Sequence, residues 1–303
     1  MTDPLRAPPA DRSAAELLAF GVVNLDKPAG PSAHQVAGWV RDLAADAAAD
    51  LAPEGPTVDR AAHAGTLDPK VTGCLPMLLG DATRMAQVFL EGRKEYVAVL
   101  ELHGPAPTNL ESVLAEFEAP LYQKPPRKSA VSRRLRVREI YDLELLDQSD
   151  RQALIRIQCE SGTYVRKLCH DLGLALGTGA HMGHLRRTAT DPFDDTTLVN
   201  LQSFTDALEF AREGDEERLR EIVHPAERAL THLPSVEIAP SAAREVATGA
   251  PVYAPGVIGA DDATDGALVA CYTPDGSAVC LGTMAGDPTA DSGIAVDLER
   301  VLV

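Results

Sequence analysis

Three stretches of the chain combine side-chain types and spacings that could do chemistry. In HAGTLDPKVTG (63–73), Asp68 stands directly before Pro69, which keeps it out of the α region and presents its carboxylate from an extended or turn backbone. Gly65 and Gly73 permit a tight backbone path around it, although Asp before Pro is also an ordinary turn. In SGTYVRKLCHDLG (161–173), Gly162 and Thr163 open a helix and place Tyr164 and Arg166 in its first turn, facing whatever lies before the helix N-terminus. An arginine near a carboxylate keeps it ionised and aims it; the alternative is a capped surface helix. The third stretch, 124–138, holds seven bases and no acid: Lys124, Arg127, Lys128, Arg133, Arg134, Arg136 and Arg138. Such a cluster suits bidentate contacts to phosphates, or else a strand face paired with the protein's own acids.

Other chemistries find less support. His181 and His184 are three apart, but no third or fourth ligand is evident nearby, so a metal centre is not expected. No Gly-rich nucleotide loop is present, which speaks against redox or ATP-dependent chemistry. The cysteines at 74, 159, 169, 271 and 280 are odd in number and contain no C-x-x-C, against a disulfide framework or zinc ribbon.

Among the elements that must position these residues, GVVNL (21–25) reads as a strand and DKPAGP as the loop after it. Ser32 caps a helix carrying Val36, Val40 and Leu43 at helical spacing. The Ala/Asp-rich stretch Ala44 to Asp59, with Pro53, Gly55 and Pro56, reads as an irregular or mobile, solvent-facing insertion. Residues 63–76 read as a loop launching a helical segment through Met85 and Phe89, and 96–102 as a strand. Thr108 and Glu111 form a capping box before a helix with Val113, Leu114 and Phe117. Two long strands at 131–146 and 153–159 precede a helix from about Thr163 to Leu176, ending at Gly177. Strands with inserted helices but no strict βαβ alternation predict a mixed α+β domain. The final 73 residues, with short β-type runs at 251–253, 267–272, 277–284 and 294–297, predict a small β-barrel. The expected division is an N-terminal extension at 1–20, a mixed α+β catalytic domain at 21–230 and a small β-rich domain at 231–303.

With 303 residues, the chain has material for about two domains. It contains 45 acids against 28 bases, a net charge of −17, with few aromatics and only 6 Lys among the bases. Taken alone this discourages nucleic-acid binding, yet an acidic, Lys-poor surface also suits molar salt, where the Debye length falls to ~3 Å. In that setting local charge outweighs net charge. No apolar run approaches the ~18 residues of a membrane span, and the N-terminus lacks a leader pattern, so a cytoplasmic protein is expected.

GVVNLDKPAGPSAHQV, HAGTLDPKVTGCLPMLLGDATR, GRKEYV, SGTYVRKL and GAHMGHLRRT, in this order, closely resemble the TruB-type RNA pseudouridine synthases. LDPKVTG, QKPPRKSAVSRRLR and GAPVYAPGV resemble the archaeal, dyskerin-type branch, the catalytic subunits of box H/ACA ribonucleoproteins. The likeness runs from about Leu17 to Val303. It implies isomerisation of uridine to pseudouridine in RNA: the N1–C1′ bond breaks, the uracil turns and C5 bonds to C1′, with no cofactor consumed. Ribosomal RNA directed by a guide is the main substrate it implies, with guide-free modification of tRNA the alternative; a standalone tRNA synthase or a non-catalytic scaffold are the rival readings.

By the same resemblance Asp68 is the catalytic carboxylate and Arg166 its partner. Tyr96 stacks on the flipped base, and Tyr164 packs beneath it and serves the later proton loss from C5. Leu185 closes the pocket, while Lys27 and His63 support the active-site loop and RNA. The segment with Lys124, Arg127, Lys128, Arg133 and Arg134 tracks RNA backbone. The C-terminal domain resembles a PUA module that holds guide RNA, although its ten acids and two bases depart from the usual phosphate-binding composition. Implied partners are the guide RNA and three small core proteins of the particle, among them a kink-turn-binding, ribosomal-type protein.

Overall fold

A computed structural model describes residues 3–90, 92–125 and 132–303. Its strands are β1 (Phe20–Lys27), β2 (Ala61–His63), β3 (Thr72–Gly80), β4 (Lys94–Leu102), β5 (Pro120–Gln123), β6 (Arg136–Gln148), β7 (Gln152–Cys159), β8 (Ala180–Thr190), β9 (Val223–Pro225), β10 (Ser235–Ile238), β11 (Val252–Tyr253), β12 (Val257–Ala260), β13 (Leu268–Tyr272), β14 (Ala278–Met284) and β15 (Ile294–Val301). The α-helices are α1 (Ala14–Ala19), α2 (Ala33–Leu51), α3 (Leu110–Glu116), α4 (Val165–Ala175), α5 (Leu201–Arg212), α6 (Glu217–Ile222) and α7 (Pro240–Ala247).

The first sheet runs β5-β6-β7-β4-β8-β3-β1-β9, with β2 paired to β3. Most pairings are antiparallel, but β3 and β8 are parallel where Thr72 and Gly73 meet Arg186 and Arg187. The mixed α+β architecture expected from the sequence is therefore present. Strands β1 and β3 bury both faces, and alternation assigns each face to a different core. Val23, Leu25, Leu75, Met77 and Leu79 pack with α1, α2 and α5. Phe20, Val22, Cys74 and Leu78 face the other way, onto the 3-10 segment Asp81–Leu90 and onto Ala270, Ala278, Leu281 and Leu302 of the C-terminal module. A third core joins β4, β6 and β7 to α3 and α4.

The C-terminal module is a six-stranded sheet ordered β11-β15-β14-β13-β10-β12, in which β10 and β13 are parallel. Val236, Ile238, Val246, Val269, Val279 and Val296 fill its interior. The sequence reading missed β10, β12 and α7, whose apolar runs are four residues or fewer between turns.

Several local expectations need correction. Ala44 to Asp59 divides in two: α2 continues to Leu51, with Ala44, Ala47 and Ala48 buried in the first core, whereas residues 52–59 are irregular as expected and exposed from Pro53 to Thr57, with Val58 buried. Alanine favours helix, and here tertiary burial adds the apolar face that the acids between the alanines obscured. Residues 72–80 form a strand rather than loop, because β3 pairs with β1 from Gly73 to Gly80, with Phe20 opposite Gly80 and Lys27 opposite Gly73. The helical segment after it, Asp81–Leu90, is 3-10 and not α. Thr108 and Glu111 make no capping box; α3 starts after Asn109, with no side-chain cap. Tyr164 is the N-cap of α4 rather than a first-turn residue, and β6 begins at Arg136. Ser32, by contrast, forms a complete capping box with Gln35.

The N-terminal residues are part of this structure rather than a free arm. Leu17 and Leu18 of α1 are core residues, and Arg12 places its guanidinium against Glu227 through two 2.7 Å hydrogen bonds. Arg6 donates to Leu302 O of the C-terminal module and to Asp81.

Candidate active site

Asp68 sits in the connection between β2 and β3, with its side chain about half exposed. The connection is held from below. Lys27, at the end of β1, is fully buried, and its ammonium donates to Pro28 O (2.9 Å), Pro69 O (3.1 Å) and Val71 O (2.8 Å). Burial lowers the Lys27 pKa, while the nearby Asp68 charge opposes that shift. Gly30 N donates to Pro69 O and Val71 N to Asp68 O. Lys27 thus acts on the loop that carries Asp68, and its amine is not available to RNA.

Arg187 of β8 is also fully buried, donating from Nε to Cys74 O (2.7 Å) and from Nη2 to Gly65 O (3.3 Å), so one guanidinium bridges both limbs of the Asp68 segment. Gly73 is obligatory beside it: φ is +99°, and a Cβ would lie 2.1 Å from Arg187 O. The neighbouring Arg186 forms a two-bonded ion pair with Asp26 (2.9 and 3.0 Å). The sequence reading did not assign Arg187 a role; the LRR triplet was its only signal, because burial of one arginine of the pair depends on strand pairing.

Arg166, in the first turn of α4, forms an ion pair and hydrogen bond with Asp68 across 98 residues of sequence. Arg166 is half exposed like its partner, so the pair is reachable by a large substrate. The partial positive charge of the α4 N-terminus adds to the field that favours negative charge there. Tyr164 is half-buried, and its backbone is gripped by Gln123: Tyr164 N donates to Oε1 at 2.9 Å.

Tyr96 of β4 pairs with Arg187 of β8 and Ile157 of β7, and it packs against both flanking cores. Burial raises its phenol pKa, against the opposing pull of the Arg187 guanidinium hydrogen-bonded to it. Leu185, opposite Ala98, is half-buried between the same two cores. His63 is half-buried on β2, where burial holds its imidazole below the usual pKa; its Nδ1 has no hydrogen-bond partner among the described residues. Asp68 and Arg166 therefore meet directly, Tyr164 flanks Arg166, and Tyr96 connects to the Asp68 segment through Arg187.

Of the basic stretch, Lys124, Arg133 and Arg134 are exposed, and Arg133 donates to Pro125 O (2.9 Å). Arg127 and Lys128 lie outside the described residues. Among the described residues no cluster of three or more His, Cys, Asp or Glu is placed to hold a metal ion. Two surface concavities, of about 460 and 220 Å³, lie around Arg93 and Asp191 and do not include Asp68.

An aspartate on a pinned loop, paired with an arginine and open to a large ligand, defines with this fold the class of RNA pseudouridine synthases. Residues 55–109 match the TruB family pseudouridylate synthase N-terminal domain and 166–231 the tRNA pseudouridylate synthase B C-terminal domain. Residues 4–37 match the DKCLD (NUC011) domain and 234–302 the PUA domain. A probable tRNA pseudouridine synthase B of Haloarcula marismortui is 61% identical over 99% of this chain and 94% of its own length. One of Methanopyrus kandleri is 45% identical over 100% and 88%. Among solved structures, a chain of a Cbf5-Nop10-Gar1 complex superposes with a TM-score of 0.89 at 41% identity, over 99% of this chain and 90% of that one. A chain of an H/ACA RNP bound to a substrate RNA containing 2′-deoxyuridine gives 0.87 at 39% identity, over 100% and 91%. The chain belongs to the TruB family of pseudouridylate synthases. Its β-rich C-terminal module is a PUA domain.

Proposed function

We propose that this pseudouridine synthase is the catalytic subunit of a box H/ACA particle, isomerising uridines of ribosomal RNA that a guide RNA selects. The observation that carries the chemistry is the Asp68–Arg166 pair at the N-terminus of α4. The guide-directed reading is supported by the DKCLD and PUA matches flanking the catalytic region and by the full-length likeness to chains crystallised in H/ACA assemblies. By that likeness its partners are RNA and small core proteins of such particles, and by the sequence resemblance they include the guide RNA and a kink-turn-binding protein. The catalytic region is 21–230 and the guide-binding domain 231–303. The acidic composition and the halophilic relatives fit a protein that folds and works in concentrated salt.

C1′ of a stacked nucleotide is out of reach, so the target uridine turns out of its helix, at a cost of a few kcal/mol. Tyr96 and Tyr164 offer the everted base aromatic faces and Leu185 closes the site, which offsets part of that cost. Asp68 then either attacks C1′ or removes the 2′-hydrogen. On both routes the uracil leaves C1′ as its N1 anion, turns and returns through C5: in the first the Asp68–C1′ bond breaks as C5 bonds to C1′, and in the second Asp68 gives its proton back to C2′ as C5 adds. The C5 proton departs, with Tyr164 placed to assist, and N1 takes up a proton, so the net change is an isomerisation. Arg166 balances and aims the Asp68 carboxylate, and Lys27 and Arg187 hold its loop while charge develops at the sugar. Lys124, Arg133 and Arg134 lie on the exposed face where phosphates would pass.

The relatives' names point to tRNA and the solved assemblies to guided targets, so the deciding experiment offers both substrates. Recombinant protein in molar salt is given a bare tRNA transcript, or a guide, its complementary target and the core proteins, and pseudouridine is counted by chemical mapping. Conversion requiring the guide is expected. Full conversion of bare tRNA, with none of the guided target, would overturn the guide-directed reading in favour of a standalone tRNA synthase.

A further inference from the structure

Gln123 is 2% exposed, an unusual place for a primary amide, and both ends of that amide face the backbone of one residue. Its Oε1 accepts from Tyr164 N at 2.9 Å, and its Nε2 lies 3.5 Å from Tyr164 O. Tyr164 O is in turn the first acceptor of α4, taking the N–H groups of Lys167 (2.9 Å) and Leu168 (3.0 Å). Gln123 closes β5 at the root of the basic hairpin, opposite Arg136 of β6, and Lys124 follows it on the surface.

A second tie runs from the same hairpin. Arg138 of β6 bonds Glu160 at 3.0 Å, Glu160 also accepts from Glu139 N at 3.1 Å, and Thr163 Oγ1 donates to Glu160 O at 2.7 Å. The segment 160–164 is therefore attached to the hairpin at its start by Arg138 and at its end by Gln123. Arg138 is a surface-edge ion pair, whereas Gln123 is desolvated, and a buried amide loses more than an exposed one when its partner moves. Between them the chain turns through Gly162 at φ +80°, a point with little stiffness of its own.

We propose that Gln123 is a positioning residue for the isomerisation: by clamping the Tyr164 backbone to the root of the basic hairpin, it sets the Tyr164 ring and the Arg166 guanidinium opposite Asp68. It makes no contact with the substrate. This rests on the reading that Tyr164 and Arg166 serve the reaction, and it adds that the end of β5 holds the start of the catalytic helix in place.

The test compares wild type, Gln123→Ala and Gln123→Glu in the assembled particle, measuring the single-turnover rate, the Kd for target RNA and the folded fraction by near-ultraviolet circular dichroism. Gln123→Ala removes both contacts, whereas Gln123→Glu keeps the 2.9 Å acceptor and sets a carboxylate oxygen in place of the Nε2 that lies 3.5 Å from Tyr164 O. The charge introduced by Gln123→Glu is favoured at a helix N-terminus. The expected result is a rate at least tenfold lower in Gln123→Ala per folded molecule, a Kd within threefold of wild type, and a Gln123→Glu rate at least half restored. An unchanged rate per folded molecule overturns the proposal, as does a Kd loss that matches the rate loss, or a Gln123→Glu variant no faster than Gln123→Ala. A wild-type particle that converts no target refutes the functional reading itself, so the two failures are distinguishable.

Discussion

Replacing Arg12 with alanine removes one half of the buried ion pair that ties the N-terminal segment to the junction of the two modules. The Arg12 side chain is 2% exposed and that of Glu227 11%, and their two hydrogen bonds are both 2.7 Å. Removing one member of such a pair strands the other charge, which costs about 3–5 kcal/mol. Glu227 keeps one hydrogen bond, from Ala278 N at 3.1 Å, which moves the expected loss to the lower half of that range, about 3–4 kcal/mol. The Arg12 guanidinium also lies 5.2 Å from the Phe20 ring and donates to Ala7 O at 3.1 Å, so packing is lost with the charge. At about 1.6 °C per kcal/mol for a chain of this length, the melting temperature falls by roughly 5–6 °C. Calorimetry in molar salt reads this directly. Because the pair is desolvated, the loss is nearly the same at about 0.5 and 3 M salt, unlike exposed pairs such as Arg41–Asp42. The double variant Arg12→Met, Glu227→Met leaves no unpaired charge and recovers most of the loss. An Arg12→Ala variant within about 1 kcal/mol of wild type, or a double variant whose losses simply add, would refute this account.

Asp68→Ala abolishes pseudouridine formation while leaving guide-RNA affinity nearly intact in a binding titration; undiminished turnover would remove Asp68 from the reaction. Arg166→Ala lowers the single-turnover rate more than RNA affinity, and equal losses would make it a phosphate clamp. Lys27→Met takes the ammonium donor from three carbonyls, of which Pro69 O keeps Gly30 N, and the expected result is a rate loss of about tenfold or more with Kd within a few-fold, read by the same kinetics. His63, His224 and His232 are all held below the ordinary histidine pKa by burial. The unfolded chain therefore binds more protons than the folded one as pH falls through about 6.5, so stability declines on acidification there. A melting temperature that stays flat or rises between about pH 7 and 5.5 would contradict that sign.

Much of the catalytic segment is legible without a structure because its signals are local. Pro69 restricts Asp68, Ser32 and Gln35 cap α2 from within one turn, and Gly177 at φ +71° follows the end of α4. The motif order carried the family, and with it the pairing of Asp68 with Arg166. The features that the sequence alone left undetermined depend on partners far along the chain. Lys27 and Arg187 are ordinary basic residues until strand pairing brings backbone carbonyls 42 to 122 residues away onto them, and only then do they become buried pins rather than RNA contacts. Gln123 likewise acquires its role from a backbone 41 residues distant. The alanines of α2 show the same division for the fold: their helix propensity is intrinsic, but burial against the sheet decides that the helix runs on to Leu51. Dihedral limits, caps and periodicity act within a few residues and are written in composition and spacing, whereas desolvation and the aim of a hydrogen bond exist only once distant segments are packed together.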